Sequence, residues 1–482
     1  MHYYLTAKYP QWFFARLLYG RFVRQANQSQ LLLQVALDTP NNGILRLNEI
    51  IQERLLITST ALIAEVTVHR AYDFEKPQNI RQFMHHYIGD GLILTEGDKH
   101  KFLRKNSLSS FHFRHIKNLY PMMWKKSLDF ADELECNIRR QPGGTSGKAD
   151  INAWASKITF DLIGIAGLGR DFNFLRNHDD RLGQDYEALM GPDMLLYTVM
   201  SIWLSFQFVQ LLPWSKNSFF REKTLSLKQQ CLRLIQDKRQ SIANDPDSHV
   251  DILSLLVKTD NFSDVDLTDQ LLTFLVAGSV RHDTTSASLS WALYLLSLHQ
   301  HWQGLLRTEV RAALDASTGG EQDIASILEG LPVLNGVLNE TLRLFPAVPV
   351  TARVACRDIV LQDQSIPKGT EILLSPWLIN RSREVWGQSA DVFEPKRWID
   401  EETQRPNNTG GRSSNYDFMT FLHGPRSCIG HGFARAELRC LLASMAYRYS
   451  WTLDMDPLDV VPAGAVAIQP KNGLHLNLSI VE

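Results

Sequence analysis

Residues Phe421–Gly430 read FLHGPRSCIG. One cysteine, Cys428, stands two positions after Arg426 and between Gly424 and Gly430. Downstream, Ala434, Leu438, Leu441, Leu442, Met445 and Tyr449 recur at helical spacing, which predicts an apolar-striped helix starting near Gly430 or Gly432. Cys428 therefore sits just before a helix N-terminus, where unpaired N–H groups and the positive dipole end favour a thiolate. Gly424, Gly430 and Gly432 allow sharp turns and the close approach of a flat partner. Arg426 adds a cation able to bind a carboxylate. A lone thiolate does not suit zinc but does suit haem iron as an axial ligand. A nucleophilic or merely structural cysteine satisfies the same local chemistry.

The rest of the chain narrows the choice. It has 482 residues, of which 44% are hydrophobic and 21% charged, as in ordinary folded proteins. A net charge of -2 gives no global bias towards a nucleic-acid partner. The five cysteines, Cys136, Cys231, Cys356, Cys428 and Cys440, are sparse and form no CxxC pair. That pattern points to a reduced compartment rather than a disulfide framework or a structural zinc site. GGTSGK lacks the residues of a phosphate loop, and no GxSxG or GxGxxG occurs. A serine hydrolase and a dinucleotide fold within the chain are therefore disfavoured. The N-terminal MHYYLTAKYPQWFFARLLYGRFVR has no long apolar run, so neither a signal peptide nor a membrane anchor is expected there. An amphipathic helix packed on the domain is the preferred reading, with contact at a membrane surface the alternative. Met194–Trp214 carries no charge over a length that reaches across a bilayer. Gly43–Leu47 and Arg54–Thr58 read as a strand pair; IVLQ from Ile359 and TEILLS from Thr370 read as another.

Two further constellations stand out. In LPVLNGVLNETLRLFP (Leu331–Pro346), Glu340 and Arg343 lie one helical turn apart, opposite an apolar face. Taken alone they read as a solvated surface ion pair. Leu271–Tyr294 reads as one long apolar helix with Asp283, Thr284 and Thr285 in its middle. An acid and a hydroxyl there either pass protons into a dry pocket or form a polar stripe with local back-bonding.

Together these features resemble the cytochrome P-450 family of haem-thiolate monooxygenases, in the family's order over roughly Gly43 to Gly473. FLHGPRSCIG fits FxxGxRxCxG, ETLR (Glu340–Arg343) fits ExxR, and FEPKRW (Phe393–Trp398) is similar to the PERF-type segment. EGDKHKFLRK resembles the helix whose His100 and Arg104 contact haem in the family. The implied fold is mainly α: one large haem domain over 1–482, including an N-terminal segment 1–42, with a small β-rich subdomain. Haem b would lie between the long central helix and the cysteine-loop helix.

The resemblance also implies roles. Cys428 becomes the axial ligand of the haem iron, and Phe421 and Gly430 belong to its loop. His100, Arg104, Arg353 and Arg426 become partners of the haem propionates. Glu340, Arg343 and Arg397 become a structural triad, and Asp283 and Thr284 the acid and alcohol that deliver protons to oxygen. Electrons would come from NADPH through a separate reductase, received on a basic patch of Lys105, Lys117, Lys125, Lys126, Arg435 and Arg439. One atom of O2 would enter a small apolar substrate, such as a terpenoid or polyketide, in fungal specialised metabolism. The pocket lining would come from Met194–Trp214, Val276, Pro349–Val350 and Val466–Ala467. A single span at Met194–Trp214 would put His100 and Cys428 on opposite sides of a bilayer, so peripheral contact at the cytosolic face of the endoplasmic reticulum is expected instead. The alternatives are a haem-thiolate isomerase or dehydratase, and a haem-binding protein with impaired oxygen activation. The last follows from a departure: Ser279, Val280 and Arg281 look like three extra residues between Ala277–Gly278 and Asp283–Thr284. They would be accommodated in an unbroken helix, in a bulge, or as the product of a misplaced exon boundary.

Overall fold

A computed structural model describes residues 2–4, 25–48, 53–177, 180–245, 250–278, 284–316, 323–464 and 467–481. The apolar stripe after the cysteine loop becomes the helix His431–Arg448, with Gly430 at its N-cap. Leu438, Leu441, Leu442 and Met445 are buried on it. The helix packs against the long helix Phe113–Arg139, which buries Ile116, Leu119, Tyr120, Met123 and Phe130. Thr284–Leu298 and Pro332–Leu344 pack against it from other sides. One large apolar cluster runs through these helices. Trp291 is fully buried in this region, stacked on Phe345 at 4.1 Å and donating its indole N–H to the Ile468 carbonyl at 3.0 Å.

A smaller β-rich region has its own core. Its six-stranded sheet runs in the order His2–Tyr4, Ile44–Asn48, Glu53–Ile57, Glu371–Leu374, Thr351–Ala355, Phe74–Glu75. Ile44–Asn48 and Glu53–Ile57 pair antiparallel, as their sequence predicts, with Ile44 opposite Ile57. The second expected pair forms differently. Ile359–Leu361 turns back on Gln364–Ile366 through Gln362 at φ 50, while Glu371–Leu374 joins the large sheet. Two extended runs across a turn specify strands but not partners, and Glu371–Leu374 buries its apolar side chains better between two neighbours. His2–Tyr4 is an edge strand parallel to Ile44–Asn48 rather than part of a helix; residues 5–24 lie outside the described residues.

The long central helix is also corrected. Asp264–Ala277 ends at Gly278, whose φ of -126 and ψ of 32 leave the helical region, and a second helix starts at Thr284. The uncharged Met194–Trp214 stretch is likewise divided. Helix Leu195–Leu204 stops at Ser205, at φ 85, and Phe206–Leu211 begins after it. Ser205 caps the second helix by accepting from the Phe208 N–H at 3.3 Å. No helix among the described residues is long and apolar enough to cross a membrane.

Pro332–Leu344 lies against the short turn Pro395–Trp398, and Gly336 makes the approach possible. A Cβ at Gly336 would stand 2.7 Å from the Pro395 carbonyl oxygen. Gly336→Ala is therefore expected to lower stability by about 1–3 kcal/mol, read as a fall in melting temperature. Gly330→Ala, where a Cβ meets nothing within 4 Å, should leave it unchanged or slightly higher.

Candidate active site: a cysteine loop beside a buried cation cluster

The loop before His431–Arg448 is fixed by its backbone. Cys428 donates its N–H to the Phe421 carbonyl at 2.9 Å, across the turn Gly424–Arg426. Gly424 has φ 74, and a Cβ there would lie 2.0 Å from the Thr67 carbonyl oxygen, so only glycine fits. Cys428 is an exposed residue, yet atoms of the protein surround its thiol deeply. Burial pushes its pKa above the usual thiol value, against the Gly430 N–H and the nearby Arg104 guanidinium, which act in the other direction. The helix terminus alone therefore does not produce the thiolate expected from sequence. A coordinating metal ion deprotonates a thiol outright.

Four of the sequence-derived residues converge beside this loop. Arg104 donates to the Ser427 carbonyl at 2.6 Å and to its hydroxyl at 3.1 Å. His100 is buried and bonded to the Tyr72 hydroxyl at 3.1 Å. Its pKa is lowered to about 4 by burial and by the charges of Lys76, Arg426 and Arg104, so the ring is neutral near pH 7. Arg353 is buried, donates to Thr351 and to the Ala352 carbonyl, and pairs with no carboxylate among the described residues. Burial, and then repulsion from Arg426, lowers its pKa to about 10. Arg426 lies over the Tyr72 ring at 4.8 Å and pairs with Glu96. Sequence reasoning missed Tyr72, Lys76 and Glu96; the Glu96–Arg426 contact spans 330 positions, and no local pattern encodes it.

This donor set fits haem. Among the described residues, Lys76, Arg104, Arg353 and Arg426 outnumber the carboxylate paired with two of them, Glu96, which suits a group carrying two carboxylates, and a cysteine beside them suits its iron.

Glu340 and Arg343 are both fully buried, so the surface-pair reading of the motif alone is overturned. Arg343 forks onto Glu340 at 2.8 and 2.7 Å and donates to the carbonyls of Asn380 and Ala390, each at 2.6 Å. Glu340 also accepts from the Trp398 indole at 2.9 Å, the Glu394 N–H at 3.0 Å and Arg397 Nε at 3.4 Å. Phe421 is half-buried, with the Arg435 guanidinium 5.5 Å from its ring centre.

Thr284 begins its helix and donates its hydroxyl to the Ala277 carbonyl at 3.5 Å, joining the two halves of the interrupted helix. Asp283, Ser279, Val280, Arg281 and the lining residue Val466 lie outside the described residues. The helix before them ends at Gly278. The basic patch contracts. Lys126 is buried against Asp161 and Asp171, Arg439 bonds Asn335 and Glu329, and Lys117 pairs with Asp323. Arg435 is drawn over Phe418 and Phe421, its pKa lowered to about 10 by burial. Lys105 and Lys125 remain exposed.

Residues 20–477 match the model of the cytochrome P450 family. The chain is 38% identical over 469 residues to cytochrome P450 monooxygenase sphH of Aspergillus fumigatus, covering 94% of this chain and 84% of that protein. It is 36% identical over 466 residues to cytochrome P450 monooxygenase ptmK of Penicillium ochrochloron, covering 95% and 90%. Cytochrome P450 monooxygenase ALT8 of Alternaria alternata is 33% identical over 508 residues, with 92% and 84% covered. The chain belongs to the cytochrome P450 family and is a haem-dependent monooxygenase, using O2, a substrate and a redox partner.

Removing Glu340 strands Arg343 without its carboxylate in a fully buried site. Glu340→Ala is expected to cost about 3–5 kcal/mol, against a total stability of about 5–15 kcal/mol, and to leave little soluble holoprotein. Expression yield and thermal melting check it; wild-type values for both would contradict the buried-network reading.

Proposed function

We propose that Cys428 is the axial thiolate ligand of haem b, and that the enzyme inserts one atom of O2 into a small apolar substrate in fungal specialised metabolism. The observation that carries this reading is Cys428 in a glycine-turned loop beside Arg104, Arg353 and Arg426. When bound, haem supplies the activation of O2. His100, Arg104, Arg353 and Arg426 would hold its carboxylates beside the cysteine loop. Asp283 and Thr284 would hold and deliver protons for that chemistry. The Thr284 hydroxyl is bonded to the Ala277 carbonyl and would have to leave that bond to do so. The apolar lining excludes water and favours a terpenoid- or polyketide-like substrate. Electrons come from NADPH through a separate reductase, docking where Lys105 and Lys125 are exposed.

Exposed Leu195, Leu196, Trp203, Leu204, Phe208 and Leu211 on the broken helix pair supply an apolar surface for contact with the cytosolic face of the endoplasmic reticulum membrane. Cys428→Ser should abolish the red-shifted ferrous-CO Soret band that marks thiolate ligation; survival of that band would refute the assignment.

The helix break at Gly278 favours a second reading, in which Ser279–Arg281 impair oxygen activation or leave a haem-thiolate isomerase or dehydratase. Deleting these three residues is then expected to raise turnover and coupling with an unchanged CO spectrum. Lower activity in a folded deletion variant would make the insertion a working part of the site.

A further inference from the structure

The helix Gln25–Asp38 has two faces with different tasks. Leu32 and Val35 are buried and anchor it in the small β-rich core. Gln30, Leu33, Gln34 and Leu37 fall at i, i+3, i+4 and i+7, a single stripe on the opposite side of the helix. That stripe forms a wall of a cavity of about 360 Å³. The volume lies within the range of small-molecule sites. No residue of the cysteine loop lines it. Part of the lining is aromatic, from Tyr294, Phe345 and Trp377, and Val460 and Pro462 add further apolar surface. Phe345 meets Trp377 edge to face at 5.9 Å and stacks on Trp291 at 4.1 Å, so the aromatic wall is braced by packed rings.

The polar groups of the cavity define what it can hold. Its one cation, Arg381, pairs with Asp391 at 3.2 Å and donates to the Leu344 carbonyl at 2.6 Å. The lining is therefore neutral as a whole, and an anion gains nothing there. The guanidinium also lies 4.2 Å from the Trp377 ring centre and 5.5 Å from that of Phe345. Those rings already hold a cation, so a second one is not favoured. Left over are the amides of Gln30 and Gln34 and the Tyr294 hydroxyl, whose side chains have no hydrogen-bond partner among the described residues. Amides both donate and accept, and the hydroxyl does the same. The match is a neutral molecule with a flat apolar body and a hydroxyl or carbonyl at its edge. The aromatic wall is also wired inward. Trp377 donates its N–H to the Pro349 carbonyl at 3.2 Å, and Ser375 donates its hydroxyl to the same oxygen at 3.0 Å. The Ala347 carbonyl accepts from the Ile468 N–H at 2.9 Å. These are the backbones that flank Pro349–Val350 and Ala467, which the sequence marks as substrate lining.

We propose that this cavity is an effector site, which takes a neutral, flat, largely apolar molecule bearing a hydroxyl or carbonyl and adjusts the haem side through Ala347–Pro349. Binding in the cavity is independent of the reaction assigned above; the coupling rests on the lining role of Pro349–Val350. An occupant packs against Phe345 and Trp377, whose neighbours fix the Pro349 carbonyl, and so favours one placement of that segment. The coupling is reciprocal: a ligand at the iron changes the affinity of the cavity by the same factor.

The test uses purified holoenzyme: wild type, Gln34→Trp and Leu37→Trp. Both substitutions are at exposed positions and put an indole into the cavity. The probe is 1-pyrenemethanol, a neutral flat fluorophore with one hydroxyl. The iron is first saturated with 4-phenylimidazole, which occupies the haem side. Pyrene anisotropy should then show saturable binding of one equivalent to wild type, weakened roughly tenfold or more in each variant, the scale of losing part of a buried apolar contact. Uptake that does not saturate, or equal affinity in wild type and both variants, overturns the site. If Gln34→Trp melts well below wild type, Leu37→Trp decides. Coupling is read separately, from the Soret shift on titrating 4-phenylimidazole with and without the probe. Its affinity should change about twofold or more in wild type and not in Gln34→Trp. An equal change in both is competition at the haem itself, and it overturns the effector role, as does no change in wild type. The Cys428 assignment is decided by the CO band, so the two readings fail separately.

Discussion

The buried fork of Arg343 onto Glu340 is the contact on which the rest of the site depends. Its influence reaches the cysteine loop through a continuous set of hydrogen bonds. Arg343 donates to the Asn380 carbonyl, and the Asn380 amide donates back to the Arg343 carbonyl at 3.1 Å. The same amide reaches the Thr420 hydroxyl at 2.8 Å, and the Asn380 side-chain oxygen accepts from the Met419 N–H at 2.8 Å. Thr420 in turn donates to the Leu342 carbonyl at 2.7 Å. Residues 419 and 420 lead directly into Phe421, whose carbonyl holds the Cys428 N–H. Networks of this kind are rigid only when every member is satisfied. Here Glu340 is met by Arg343, Arg397, Trp398 and the Glu394 backbone, so two charges persist without solvent.

The same economy governs the other buried charges, but with a different outcome. Lys126 is neutralised between Asp161 and Asp171 and serves the packing of Phe113–Arg139. Arg381 rests 4.2 Å from the centre of the Trp377 ring and pairs with Asp391. Around the cysteine loop, by contrast, Arg353 has no carboxylate partner among the described residues. Stability alone does not explain a desolvated guanidinium in that state, and a perturbed group of this kind marks a candidate functional site.

Much of this was legible in the sequence because it is encoded locally. The cysteine loop combines glycines, a cation and a following apolar period within a few turns of chain, and the helix begins where that period says. His100, Arg104, Arg353 and Arg426 also meet in one place. What escaped reading is set by distance along the chain or by tertiary packing. Tyr72, Lys76 and Glu96 lie far from Arg426 in sequence and carry no periodic signal. Glu371–Leu374 found its partners in a distant sheet rather than across the nearest turn. Apolar content suggested one helix across Leu271–Tyr294, but content does not report backbone geometry at Gly278. Lys117, Lys126 and Arg439 read as free surface charge only until their carboxylates, well removed in sequence, are folded against them.

Gly424 carries a further consequence for the sulfur. Its left-handed backbone and the Thr67 carbonyl packed against it leave no room for a side chain, so the turn before Cys428 has one geometry open to it. The place of the sulfur is thus decided by the chain itself, before anything binds beside it.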